Sequence, residues 1–427
     1  MQFAHEPADE AGGLRVALSS YRSKPHSGGQ GIYVRNLSRE LVALGHSVEV
    51  FSGAPLPELD PGVGLTKVEG LDLYREPDPF RRPHLREFRS DLDVLEYATM
   101  CTAGFPEPRV FSLRLARMLR SRIGDFDVLH DNQTLGPGIL TLERRGLPVL
   151  TTIHHPISRD RRLELEQATG WERLSKRRWY GFVAMQRRVA RRSSHILTVS
   201  EGSAQDIVTD FAVPAERIDV VPVGVAVDVF TPPTAPRVPG RLVTIASADV
   251  PLKGVPVLIE ALRAMAPDAW SELIIVGTAS ERTQKSLADA GLLDRVSFRS
   301  GIPDEELAAL IGSAQALVVP SRYEGFSLPA VEAMACGTPV VASAVGALPT
   351  LVSGGAGVLV PPNDPVALAN SLTEVLASPS RRAAMGEAGR RRAVETYSWR
   401  AVAEQTAELY RHVIRARSQQ GTNKENN

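Results

Sequence analysis

The sequence predicts an α/β chain built from two doubly wound parallel-sheet units, and three observations carry that expectation. Short runs rich in β-branched residues alternate with stretches of helical periodicity along the whole chain. Many of the runs, such as "LIIVG" (Leu273–Gly277) and "ALVVP" (Ala316–Pro320), are apolar without interruption, as in strands covered by helices on both faces. Between the two halves, "TPPTAPRVPG" (Thr231–Gly240) holds four prolines in ten residues and reads as a linker.

In chain order, the first half reads as strands at Leu14–Ser20, Ser47–Ser52, Asp127–His130, Val149–His154, His195–Ser200 and Ile218–Val223. The second half reads as strands at Arg241–Ala246, Glu272–Val276, Arg295–Arg299, Ala316–Pro320, Pro339–Ser343 and Gly357–Val360. The domain boundary is expected at Pro222–Pro239. This gives an N-terminal unit over 1–222, a second unit over 223–395, a C-terminal helix over 396–415 and a disordered polar tail over 416–427. In doubly wound folds ligands sit outside the carboxyl ends of the strands. The stretch Ala54–Arg109 reads as a long irregular excursion with its own helical pieces, of the kind that carries binding specificity.

Composition narrows the function classes. The 427 residues carry 49 Lys+Arg and 49 Asp+Glu, which argues against capture of nucleic acid by overall charge. Two cysteines, Cys101 and Cys336, make neither a disulfide framework nor a zinc site, and a reducing cytoplasm is the expected setting. No secretory signal is read at Met1–Gly13 and no apolar run long enough to span a membrane is found. Charge is uneven, however. Arg159–Arg192 holds 11 Arg/Lys against 4 Asp/Glu, interleaved with Trp171, Trp179, Tyr180 and Phe182. One reading is a long amphipathic helix packing its aromatics inward. The other is peripheral contact with an anionic membrane or an anionic acceptor.

The densest chemical signal is "VVPSRYEGFSLPAVEAMACGTPVVAS", Val318–Ser343. A buried strand ends near Ser321, a loop follows over Arg322–Phe326, and a helix begins with Ser327 as its N-cap and Pro329 in its first turn. Free N–H groups around Gly325, Phe326, Ser327 and Leu328 suit an anion such as a diphosphate. Glu324 stands in the loop. Glu332 lies one turn into a helix between Val331 and Ala333, where a carboxylate needs a partner.

These residues resemble the family 4 retaining glycosyltransferases of the GT-B fold, with the Glu-x7-Glu spacing of Glu324 and Glu332 as the specific mark. "HSGGQGIYVRNLSRELVALGHSVEVFSG", "VVPVGVAVDVF", "LKGVPVLIEAL" and "YSWRAVAEQTAELY" resemble further segments of that family in the same order. The resemblance implies a nucleotide-diphosphate-sugar donor bound mainly by the second unit, an acceptor on the first, retention at the anomeric carbon and neither metal nor cofactor. It implies ribose hydroxyls on Glu332, a hydroxyl of the transferred sugar on Glu324, and the diphosphate on Lys253 and the Gly325–Leu328 amides. His154 is implied near the transferred sugar, Gly28 and Gly29 beside donor or acceptor, and Gly277 in the nucleotide pocket. The family usually places an arginine five or six residues before the lysine. Here those positions are Ala248 and Ser247, so Arg322 is the substitute cation to test. His130 is expected to be structural or part of the acceptor pocket, Asp127 to begin a strand, and Asp91 and Asp93 to be helix surface. A non-catalytic sugar-nucleotide binder in a biosynthetic assembly is the alternative.

Overall fold

The computed structural model describes residues 12–24, 29–246, 251–279 and 281–425. They divide into two compact units. Unit 1 contains the residues up to Thr198, then Ala204–Val221 and the C-terminal segment from Ala403; unit 2 contains Val199–Ser203 and Pro222–Val402.

In unit 1 the strands are β1 (Arg15–Ser20), β2 (Ser47–Ser52), β3 (Gly64–Lys67), β4 (Val128–Asn132), β5 (Val149–Ile153), β6 (Ile196–Thr198) and β7 (Ile218–Val220). They pair in parallel in the order β3-β2-β1-β4-β5-β6-β7. The helices between them are α1 (Gly29–Ala43), α2 (Asp91–Cys101), α3 (Glu107–Met118), α4 (Pro137–Arg144), α5 (Ser158–Gln167), α6 (Gly170–Trp179), α7 (Gly181–Ala190) and α8 (Glu201–Phe211). Every residue of β4 and β5 is buried, as strands with helices on both faces must be.

Unit 2 repeats the plan. Strands β8 (Arg241–Ile245), β9 (Glu272–Val276), β10 (Val296–Arg299), β11 (Ala316–Val319), β12 (Val340–Ser343) and β13 (Gly357–Val360) form a parallel sheet in the order β10-β9-β8-β11-β12-β13. Its helices are α9 (Val255–Ala264), α10 (Glu281–Asp289), α11 (Asp304–Ser313), α12 (Leu328–Ala335), α13 (Leu348–Leu351), α14 (Pro365–Ala377) and α15 (Pro379–Tyr397). The last helix, α16 (Trp399–Glu425), starts among the residues of unit 2 and continues in unit 1.

Four expectations need correction. β3 lies inside the stretch read as irregular; it is a four-residue edge strand, "GLTK", with no buried residue and so no apolar run to reveal it. The basic stretch 159–192 lies in three helices rather than one long one, with breaks at Ala168–Thr169 and at Tyr180. Backbone helix continues to Glu425, through much of the expected tail, and Arg417 donates to the Glu143 carbonyl at 2.9 Å. Asp93 is not surface: it is buried, accepts from the Ser90 amide at 2.8 Å in a capping box, and pairs with Arg114. Asp91 is exposed and pairs with Arg117.

α16 is fastened to its unit by Tyr410, which is fully buried. Its hydroxyl lies 2.6 Å from His130 Nδ1, and His130 Nε2 lies 2.6 Å from the Thr152 hydroxyl. Both ring nitrogens of a fully buried imidazole are thereby satisfied. Burial pushes that imidazole down to about 3, so it is neutral at physiological pH. Tyr410→Phe should therefore cost about 1–3 kcal/mol of stability by leaving His130 Nδ1 unpartnered. Urea denaturation of the variant beside wild type checks this; an unchanged midpoint would show that the contact does not hold α16.

Candidate functional site

The chemistry-bearing residues of unit 2 gather where β11 gives way to α12. β11 is buried throughout and runs into Pro320 and the buried Ser321. The backbone there is fixed by an adjoining turn. Arg322 N donates to the Leu252 carbonyl at 2.8 Å, and Gly254 at φ +68° passes so close that a Cβ would lie 1.9 Å from the Pro320 carbonyl oxygen. Only glycine fits both the angle and the approach. This docking sets Lys253 against the loop.

Lys253 Nζ lies 3.0 and 3.3 Å from the two carboxylate oxygens of Glu324, and Ser321 Oγ donates to one of them at 3.1 Å. Glu324 is only 8% exposed. Its backbone carbonyl accepts from Ala347 N at 3.1 Å, and Gly346, at φ +54°, leaves no room for a Cβ, which would fall 1.8 Å from that carbonyl. Next along the loop, the Gly325 carbonyl accepts from Ser200 Oγ at 2.7 Å. Ser327 then caps α12, its hydroxyl accepting from Ala330 N at 3.4 Å. Phe326 packs on the Tyr397 ring, and Leu328 opens the helix.

Glu332 is half-buried on α12. Burial, with a smaller contribution from the charge of Asp304, pushes its carboxyl up to about 8. A carboxyl group poised near neutrality accepts or donates a hydrogen bond to a diol and changes charge easily. Gly277 follows β9, and its amide donates to the Arg299 carbonyl at 2.7 Å. Arg322 has an exposed side chain, and among the described residues only its backbone bond ties it to the cluster. Ser247 and Ala248 lie outside the described residues. So does Gly28; Gly29 is the first residue of α1.

In unit 1, His154 follows β5. Its Nε2 lies 2.8 Å from Asn132 Oδ1, its amide donates to Gln133 Oε1 at 2.9 Å, and its ring meets Tyr33 edge-on at 4.7 Å. With the amide oxygen facing Nε2, that nitrogen carries the proton and Nδ1 is left as an acceptor. Burial, helped by the charge of His155, pushes the imidazole down to about 3. Gln133 and Leu135, both buried, hold this turn at positive φ, 57° and 50°. Asp127 pairs with Arg15 at the start of β4.

Sequence reading missed Gly346, Ser200, Ser321 and Gly31, the last lying where a Cβ would sit 2.1 Å from the Lys24 carbonyl. Only the glycines left a trace, as glycines just after a strand or opening a helix. Among the described residues no three His, Cys, Asp or Glu side chains come together as a metal site. No helix among them is long and apolar enough to cross a membrane.

Two doubly wound parallel-sheet units, the second with a nearly buried carboxylate at the foot of a capped helix, are the architecture of the GT-B fold class. The comparisons agree. Residues 27–229 match the family model described as Glycosyltransferase Family 4, and residues 234–392 match that of Glycosyl transferases group 1. The chain is 54% identical over 406 residues to the MMP alpha-(1->4)-mannosyltransferase of Mycolicibacterium hassiacum, covering 94% of this chain and 98% of that one. It is 32% identical over 448 residues to the D-inositol 3-phosphate glycosyltransferase of Xylanimonas cellulosilytica, covering 95% and 98%. Among solved structures, sucrose-phosphate synthase from Thermosynechococcus elongatus superposes with a TM-score of 0.66 at 24% identity, over 94% of this chain and all of that one. The chain belongs to the family 4 glycosyltransferases of the GT-B fold, and it is a glycosyltransferase.

The raised carboxyl of Glu332 has a consequence for stability. Its folded value lies above its unfolded one of 4.5, so its contribution is complete below 4.5 and is lost as pH rises through about 8. Glu332→Gln removes that loss. Its Tm should exceed wild type by about 2–4 °C at pH 8 and match it near pH 4. Calorimetry at the two pH values checks the sign, and a lower Tm at pH 8 would contradict it.

Proposed function

We propose that the chain transfers a mannosyl group from a nucleoside-diphosphate sugar to a saccharide acceptor with retention at the anomeric carbon. The observation that carries this reading is the Lys253–Glu324–Ser321 cluster at the foot of α12. The 54% relative, an alpha-(1->4)-mannosyltransferase by its name, supports the sugar and the linkage.

The chemistry asks for two things. A departing diphosphate gathers negative charge, and the anomeric carbon becomes positive. Lys253 carries one positive charge on three N–H donors, and the start of α12 adds backbone amides and a helix dipole. Together they meet the charge on the leaving group without a covalent nucleophile. In this reading the Glu324 carboxylate accepts a hydroxyl of the transferred sugar. Glu332 takes the ribose hydroxyls. Gly277 lines the nucleotide pocket, and Arg322 supplements Lys253 if it reaches the diphosphate. His154 is assigned to the transferred sugar, and Gly28 and Gly29 to donor or acceptor, on the resemblance alone. In a retaining displacement the carbon–diphosphate bond breaks and the acceptor oxygen bonds on the same face. The acceptor's proton passes to the departing diphosphate oxygen. No metal and no cofactor has a part in this reading.

Contact of unit 1 with an anionic membrane is a separate reading, favoured by one observation. Trp179, Tyr180 and Phe182 pack inward, but Trp171 on α6 is 80% exposed and Leu174 54%, beside the exposed Arg177 and Arg178. Such a helix suits a charged interface.

Two measurements test these readings. Lys253→Ala should lower donor-hydrolysis turnover by about 10²–10³, the size seen when one transition-state donor is removed. Glu332→Gln should raise the Kd for nucleoside diphosphate, whereas Glu324→Gln should lower turnover more than affinity. Lys253→Ala at wild-type turnover would remove the lysine from the mechanism. A wild type that binds the donor and never turns it over would favour the non-catalytic alternative. For the membrane, co-sedimentation with anionic vesicles should be clear at low salt, weaken at high salt and fall in Trp171→Ala. Absence of low-salt binding would leave α6 as a solvated helix.

A further inference from the structure

Away from the groups assigned above, unit 1 holds a cavity of about 60 Å³. It opens at the carboxyl ends of the first three strands. Tyr21 follows β1, Gly53 follows β2, and Lys67 ends β3. Glu107 and Phe111, from the first turns of α3, close it from the other side. Doubly wound sheets take their ligands at this end of the strands. A volume of this size holds roughly four waters, or one hydroxyl-bearing edge of a sugar ring.

The strand ends in the lining pack closely: at residue 53 a Cβ would lie 2.5 Å from the Tyr21 carbonyl oxygen and 3.3 Å from the Phe111 ring, so only glycine fits there. Arg114, in the wall, is already matched by Asp93 and Glu96. Glu107 is different. Its side chain is only 12% exposed, yet both of its oxygens stand 3.4 Å from Arg22 Nη1, at the limit of a hydrogen bond. A nearly buried carboxyl group held so loosely retains most of its hydrogen-bonding capacity. Burial pushes it up to about 7. Beside it lies an aromatic ring. A carboxyl group next to an aromatic ring is what a saccharide requires, hydroxyls on one side and an apolar C–H face on the other.

We propose that this cavity is a subsite for an uncharged sugar residue of the acceptor, whose hydroxyls bind Glu107 and whose ring seats against Phe111. The proposal deepens the transferase reading and rests on it for the word acceptor. A phosphorylated sugar fits less well. Arg114 is matched by Asp93 and Glu96, Arg22 faces Glu107, and Lys67 stands at the exposed rim, so a phosphate entering the cavity meets the carboxyl groups of Glu107 and Asp72.

Binding and turnover together test this. Full-length wild type, Glu107→Gln and Glu107→Ala are titrated with α-(1→4)-mannobiose and with mannose 6-phosphate, followed by NMR, and assayed for transfer to mannobiose. Wild type should bind mannobiose more tightly than mannose 6-phosphate. Glu107→Ala should weaken mannobiose binding at least about tenfold, the size of one lost hydrogen bond to a buried carboxyl group, and raise the acceptor KM to match. Glu107→Gln, which keeps the shape and two hydrogen-bonding atoms, should retain binding within about threefold. Donor hydrolysis and a melting temperature close to wild type in the alanine variant show that its loss of mannobiose binding is not unfolding. Equal mannobiose affinity in all three proteins, no mannobiose binding by wild type, or tighter binding of mannose 6-phosphate would overturn the proposal. Mannobiose binding that depends on Glu107 without any sugar transfer would sink the transferase reading and leave the subsite standing.

Discussion

The position of one carboxylate, Glu324, organises most of what surrounds it. A loop between a strand and a helix has many conformations, and this one is left with few. Lys253 and Ser321 hold the side chain, while Ala347 and Gly346 hold the backbone carbonyl behind it. The Ser200 hydroxyl holds the following peptide. Apart from Ser321, these contacts come from three distant stretches of sequence, so the loop is fixed largely by the fold of the unit and not by its own propensities. The far end of α12 is held as firmly. Arg237 donates to the carbonyls of Cys336 and Gly337, and Arg390 to that of Ala335. Guanidinium groups there satisfy orphan carbonyls and complement the helix dipole. A helix pinned at both ends presents its first amides and Glu332 in one geometry, and preorganisation of this kind is worth more than any single contact.

Both units spend stability on buried titratable groups. In unit 1, His130 and His154 are held neutral, and the buried Asp131 carboxyl is pushed up to about 6 despite hydrogen bonds from Leu135 N and Ser19 Oγ. In unit 2, Glu332 is pushed in the same direction as Asp131. Perturbed groups at the carboxyl ends of parallel strands mark places where a fold has been adapted for ligands. The turn over Gln133 and Leu135 adds backbone strain at the same end of the sheet.

How much of this was legible depends on what each residue touches. The buried parallel strands announced themselves, because a strand covered on both faces must be apolar at successive positions. β11 and β12 are cases in point. Glu332 stood out because a carboxylate between apolar neighbours is costly, and the family pattern singled out Lys253 and suggested the roles proposed for it, Glu324 and Glu332. Edge strand β3 was silent because nothing covers it. Asp93 was misjudged because the arginine that buries it lies 21 residues later, in α3. Ser200 was invisible for the same reason: its partner is distant in sequence, and a serine in a loop has many ordinary explanations. Gly346 left only the trace of a glycine just after a strand.

The discontinuity of unit 1 bears on how the chain is made. Its sheet precedes unit 2 in the sequence, but Tyr410, which covers His130, comes after it. During synthesis the first seven strands emerge early and must wait for the whole of unit 2 before their last helix arrives. At ordinary elongation rates that delay is roughly 10–40 s. Over that interval a buried imidazole and the apolar surface destined for α16 stay uncovered, so the nascent unit is a natural client for a chaperone. A chain that stalls or is cut just after Val402 can be complete in unit 2 and still never finish unit 1.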